Sequence, residues 1–312
     1  MYILAALFLD ALLGDPKRLP HPVGGVGVIV RFWEKRLYPN PNKKQGGVLL
    51  CLAVLGTTAA VVGLLLLCAS SWFYELITLY LLYAALAWRS LKDQSLLVAQ
   101  ALWAGNADAA RTALSHIVGR DTKELDQAAM VRASIETVGE NFIDGVFSVL
   151  FFMTLGYMYG GTVGAVLAAW LFKAANTLDS MVGYNDERYR DFGRAAARLD
   201  DALNFIPARL GGVVTLLAGA CLGYPFLRGF WVFLRDRKKH KSPNSAHGES
   251  AFAGLLGVRL GGGASYGGVF EERPSIGCDD FQEPEPFDIL RAHALLDAAV
   301  GLSMLLVIFF LS

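Results

Sequence analysis

GVFSVLFFMTLGYMYGGTVGAVLAAWLF, residues 145–172, runs for 28 positions without a charged side chain, where one membrane-crossing helix needs roughly 20. Its middle, GYMYGG at 156–161, carries three glycines, each unfavourable inside a helix. The stretch therefore predicts a broken pair of helices, a hairpin or re-entrant element, rather than one straight rod. Such breaks are tolerated at membrane depth where protein buries them or where they line a cavity. A second uncharged run, residues 210–227, breaks in the same manner at GYP, 223–225, and a third spans residues 47–74. Residues 76–88 and 298–312 are shorter apolar runs. With 54% hydrophobic residues and a mean hydropathy of +0.42, the chain reads as an all-α, polytopic integral membrane protein with broken or re-entrant helices and polar helical cytoplasmic segments.

The polar remainder exceeds what connecting loops require. It falls into blocks 89–144, 173–209 and 235–297 between the apolar segments, within one expected membrane-embedded catalytic domain, residues 1–312. If each broken run doubles back, the three blocks share one face. Lys43, Lys44 and the basic run RDRKKHK, 235–241, would place that face in the cytoplasm. The basic run itself reads as a juxtamembrane anchor. Residues 271–288, with seven acids and one base among prolines, read as a solvated loop. Zero formal net charge removes the electrostatic basis for nucleic-acid binding. The amino end has no basic segment, contains Asp10 and shows no small-residue cleavage pattern, so it reads as a retained helix. Four scattered cysteines form no CxxC or Cys/His set, which argues against structural zinc and disulfides.

Block 173–209 balances six acids against six bases, and charges near hydrocarbon are functional-site candidates by default. Within it, Lys173, Asn176, Thr177 and Ser180 share a helical face beside Asp179. Farther on, Asp200 and Asp201 precede Asn204 between Arg198 and Arg209. Paired acids with an amide oxygen suit magnesium; a salt-bridge patch is the alternative. In block 89–144, Gly119 and Asp121 mark an expected helix join, with Asp121 or Thr122 as N-cap. There Arg132, Glu136, Glu140 and Asp144 recur every four residues, which stacks them on one face with Asn141 alongside. They read either as a magnesium or amine site or as a solvated face braced by Arg132. Near the amino end, GDPKRLPHPV sets Asp15 and His21 in a proline-stiffened turn. Near the other end, Ser242, Asn244, Glu249 and the glycine-rich GVRLGGGASYGG with Arg259 offer donors for a phosphate. No Walker sequence is present, so a nucleotide site would be of another kind.

Asp10 with GDPKRLPHPV, then SIETVGENFIDGVFS (134–148), KAANTLDSMVGYNDERYRDFGRAAARLDDALNFIPARL (173–210) and SPNS with GVRLGG resemble the cobalamin-biosynthesis family of adenosylcobinamide-phosphate synthases. The resemblance runs to about Gly277. One departure is AHGES after SPNS, where the family more usually has a Gly-Trp-Pro-Glu type sequence; Glu249 is kept. The resemblance implies a ligase of the cell membrane whose active site faces the cytoplasm. It would join the propionate carboxylate of adenosylcobyric acid to aminopropanol or its O-phosphate with ATP. It also leaves room for contact with other membrane enzymes of cobalamin assembly.

A carboxylate must be activated before it condenses with an amine, which calls for acids to hold magnesium and bases to hold phosphate. Asp200, Asp201 and Asp179 are the expected magnesium residues. Lys173, Arg188, Arg198 and Arg209 would hold phosphate or substrate carboxylate, with Asp15, His21, Ser242, Asn244, Glu249 and Arg259 as further substrate-binding candidates. Glu136 or Glu140 would accept the amine proton; Asn141 and Asn176 would position amide or acyl oxygens, and Asp144 completes the catalytic set. Two rival readings are an intramembrane prenyltransferase with a magnesium diphosphate, and a non-enzymatic transporter or signalling protein.

Overall fold

The computed structural model describes residues 1–15 and 21–312, so the centre of the GDPKRLPHPV turn lies outside the described residues. Twelve α-helices are assigned among them, in chain order α1 (Tyr2–Leu13), α2 (Pro22–Leu37), α3 (Lys43–Cys68), α4 (Ser71–Tyr83), α5 (Trp88–Trp103), α6 (Ala107–Ser115), α7 (Gln127–Phe142), α8 (Ser148–Val182), α9 (Arg194–Cys221), α10 (Phe226–Asp236), α11 (Ala246–Leu256) and α12 (Pro286–Leu311). A π turn, Ile143–Phe147, joins α7 to α8. Four strands of two or three residues between α11 and α12 are the described β structure. Four helical segments are long and apolar enough to cross a membrane: Lys43–Cys68, Gln127–Val182, Arg194–Cys221 and Pro286–Leu311. The protein is thus a helical, multi-pass membrane protein, as its composition demands.

The chain groups into two compact units, one of Met1–Ala87, Ser148–Asn204 and Val307–Ser312, the other of Trp88–Phe147 and Phe205–Leu306. In the first, α8 breaks at Gly160 (φ −141°, ψ 18°) and Gly161 (φ 58°, ψ −149°), the second a conformation that glycine adopts without steric cost. Phe152 and Phe172 then stack with ring centroids 5.0 Å apart, whereas twenty residues of straight helix would separate them by about 30 Å. Gly156 and Gly164 meet backbone to backbone where the arms lie together. The expected hairpin is present. Trp170 Nε1 donates to Leu81 O and Tyr83 Oη to Gly14 O, which satisfies two buried polar groups.

A side chain at 156 has no room, because a Cβ there would sit 2.3 Å from Gly164 O and 2.7 Å from Ala168 Cβ. Gly156→Val should destabilise the detergent-solubilised protein by about 1–3 kcal/mol, read as a lower thermal-unfolding midpoint. Gly63→Ala, whose Cβ meets nothing within 4 Å, should not lower it; equal losses in both would mean that the arm contact is unimportant.

The second unit shows the other break. Gly223 has φ 79°, and α10 returns along the end of α9, so that Gly229 faces Leu216 and Gly212 faces Phe233. Helix α7 begins later than the sequence suggests. Its N-cap is Asp126, whose side chain accepts from Ala129 N at 2.8 Å, while Asp121 accepts from Gly268 N at 2.7 Å. Nor is α7 water-facing, since most residues from Met130 to Phe142 are buried. The acidic stretch after α11 is built structure too. Leu260–Gly261 pairs with Ser275–Ile276, and Ala264–Tyr266 with Val269–Glu271. The turn of the second pair, Gly267-Gly268, has φ of 57° and 81°, which suits a tight two-residue hairpin.

Candidate active site

Helices α7 and α11 approach in the second unit through two glycines. A Cβ on Gly248 would lie 2.1 Å from Gly139 O, and one on Gly139 would lie 3.3 Å from Glu249 N. Such close packing sets Glu249, which is 3% exposed, beside the α7 face that carries Glu136 and Glu140. Glu136 is also buried. Its Oε2 takes Arg120 Nη2 at 2.5 Å and its Oε1 accepts from Gly261 N at 2.7 Å. Arg132, one turn earlier, does not brace Glu136 but pairs with Glu283 at 2.6 Å.

Glu249 is held by a residue that sequence reasoning assigned to an anchor. His240 Nε2 lies 2.9 Å from Glu249 Oε2, an ion-pair distance without the alignment of a hydrogen bond. Burial pushes the Glu249 carboxyl up to about 7; His240 opposes this, and Glu136 and Glu140 add to it. For His240 burial acts downward, but the Glu249 carboxylate outweighs it and leaves the imidazole above its ordinary value. A buried carboxyl raised in this way and in contact with an imidazole suits general acid–base chemistry.

Two other cations of the basic run, Arg235 and Lys239, serve a buried acid. Asp236, fully buried, takes Arg235 at 2.7 Å, Lys239 at 2.9 Å and Gly277 N at 2.8 Å. A signal for His240 did exist, a lone imidazole two residues before SPNS, but its partner lies nine residues on, in a helix of its own. Arg120, also unassigned from the sequence, reaches Glu136 from the loop before α7.

Around SPNS, Ser242 Oγ accepts from Asn244 N at 3.2 Å, and Arg209 Nη1 stands 3.4 Å from Asn244 Oδ1 with its guanidinium over the Phe205 ring. His247 is buried, and burial followed by the nearby Arg209, Arg237 and Lys238 charges lowers it to about 4, so it is neutral at physiological pH. These cations form an anion-attracting patch. Several glycine-loop amides serve the protein's own carboxylates, as Gly261, Gly268 and Gly277 show. Arg259 lies 3.5 Å from Glu283. Asn141 donates to Thr137 O at 3.0 Å, and Asp144 is half-buried in the π turn.

The first unit holds the other candidates. Asn176 Nδ2 and Asn204 Nδ2 donate to the two oxygens of Asp200 at 3.2 and 3.1 Å, and Ser148 Oγ donates to Asn204 Oδ1 at 2.7 Å. This chain joins both ends of the α8 hairpin to the start of α9. Asp201 is half-buried one residue on, and Asp179 packs its Oδ1 against Gly183. Among the described residues no three His, Cys, Asp or Glu side chains are placed so that they alone could hold a metal ion. One or two carboxylates with amide oxygens still match the donor set magnesium takes when substrate phosphates complete its shell. Thr177 and Ser180 bond back to Lys173 O and Asn176 O on their own helix. Arg188 pairs with Glu34 at 2.8 Å, while Arg198 is exposed. His21 caps α2, its Nδ1 accepting from Val23 N, and its Nε2 lies 3.3 Å from Asp15.

A family model described as CobD/Cbib protein matches residues 3–296. Among curated relatives, a protein of Pelobacter propionicus named "Cobalamin biosynthesis protein CobD" is 46% identical over 277 residues, covering 87% of this chain and 83% of its own length. Proteins of the same name from Desulfotalea psychrophila and Citrobacter koseri are 39% and 40% identical. They cover 99% and 97% of this chain, and 96% and 94% of their own lengths. No solved structure matches.

Proposed function

Because this chain belongs to the CobD/Cbib protein family and serves cobalamin biosynthesis, we propose that it is the ligase that forms the amide of adenosylcobinamide or its phosphate. Its substrates are then adenosylcobyric acid, aminopropanol or its O-phosphate, and ATP. The reaction takes place at the cell membrane with the site open to the cytoplasm, where ATP is available. The observation that carries the reaction class is Glu249, a buried carboxyl near neutrality, held by His240 beside Glu136 and Glu140.

ATP converts the corrinoid carboxylate to an acyl phosphate and leaves as ADP. The amine nitrogen attacks the acyl carbon, the C–N bond forms, and inorganic phosphate departs. An alkylammonium ion is not a nucleophile, so a base must take its proton first. Glu249 accepts that proton, and His240 keeps the carboxylate ionised near pH 7 by opposing the effect of burial. Arg120 neutralises Glu136 and prevents a second uncompensated charge there. Arg209, Asn244 and the surrounding cations attract an anionic part of a substrate.

In the first unit, Asp200 with Asp179 or Asp201 would hold magnesium, which screens phosphate charge when bound. Asn176 and Asn204 keep the Asp200 carboxylate aimed.

Purified protein in detergent, incubated with adenosylcobyric acid, ATP, magnesium and aminopropanol phosphate, should yield a corrinoid heavier by the amine minus water. A lipid diphosphate consumed in its place, or no covalent product with any of these substrates, would sink the ligase reading.

A further inference from the structure

A cavity of about 470 Å³ in the first unit is lined by Gly183, Tyr184, Asn185, Arg190, Asp191, Arg194 and Ala197. Its charges are unevenly compensated. Asp191 faces Lys44 at 3.8 Å, and Arg188 just outside is paired with Glu34. Arg190 and Arg194 have no ion-pair partner among the described residues. Both guanidiniums line the same cavity, and their planar forks match phosphate oxygens.

The walls are fastened in place. A Cβ on Gly193 would lie 1.6 Å from Val182 O and one on Gly47 would lie 1.9 Å from Phe192 O, so the loop is pressed onto α8 and α3. Tyr189 adds three ties: its N donates to Asp186 Oδ1, its hydroxyl to Glu34, and Gly193 N donates to its carbonyl. A loop held this way presents its cations at little ordering cost when a ligand arrives. The cavity volume falls in the range of small-molecule sites.

We infer that this cavity is a phosphate-binding subsite in which Arg190 and Arg194 grip the phosphate group of a substrate and the Asn185 amide assists. The inference deepens the ligase reading and rests on it for the source of the phosphate, which is either the amino-alcohol phosphate or ATP. Ala197 on the cavity wall is one helical turn before Asp201, so the subsite adjoins the acids proposed for magnesium.

The test measures binding of aminopropanol phosphate, of ATP with magnesium, of unphosphorylated aminopropanol and of adenosylcobyric acid by calorimetry, with full-length protein in detergent. Arg190→Gln/Arg194→Gln should weaken one of the two phosphate compounds at least tenfold and leave aminopropanol and the corrinoid unchanged; which phosphate compound suffers identifies the source. Arg190→Lys/Arg194→Lys, which keeps the charge, should lose less. The inference is overturned if neither phosphate compound weakens in a Gln variant that melts like wild type. It is also overturned if the corrinoid or plain aminopropanol weakens as much. Wild-type protein that binds the phosphate compound through these arginines but forms no amide would refute the ligase reading alone.

Discussion

Replacing Glu249 by glutamine should lower the rate of amide formation by about 10²- to 10⁴-fold, the range that a positioned general base contributes, with substrate affinities near those of wild type. Glutamine keeps the shape of the buried side chain and removes the ionisable carboxyl. The pH profile makes the assignment specific. As a base, Glu249 works ionised, so the rate should rise through about pH 7 and level off above it. His240→Gln removes the charge that holds the Glu249 value down, so this limb should move to higher pH with the plateau retained. A limb that stays in place in the His240 variant, or full activity in the Glu249 variant, would remove the pair from the chemistry.

Asp200→Asn should raise the magnesium concentration for half-maximal rate by about tenfold or more, the scale of losses at metal sites whose supporting groups are altered, and lower turnover with it. The structure adds a readout that does not depend on activity. Asp200→Ala leaves the half-buried Asn176 amide and the buried Asn204 amide without their common acceptor, a loss of about 1–3 kcal/mol for the buried donor, visible as a lower melting midpoint. The asparagine variant, which keeps one acceptor oxygen, should melt between the two. Unchanged magnesium dependence in Asp200→Asn, at equal protein, would leave the aspartate a purely structural role.

Both helix breaks were legible because glycine at positive φ is a local property: GYMYGG and GYP announce a turn whatever surrounds them. The acids and bases that share the α7 face were legible as a periodic set. Their partners were not. Spacing puts Arg132 over Glu136, yet that face is interior, and Arg132 meets Glu283 while Arg120 meets Glu136. A local i, i+4 pair is worth only a few tenths of a kcal/mol, far less than the cost of leaving a buried carboxylate without a cation. The same logic took Asp121 away from the helix start and gave the cap to Asp126. His240 was hidden by composition, since a histidine among five lysines and arginines reads as one more surface cation. Only the close approach of Gly139 and Gly248 shows that it has a buried acid to serve.

The two arms of the α8 hairpin touch through Gly156 and Gly164 with no gap that a lipid tail could fill. The two arms therefore form one packing unit, in which small residues let the backbones approach and a side chain on either glycine would force the pair apart.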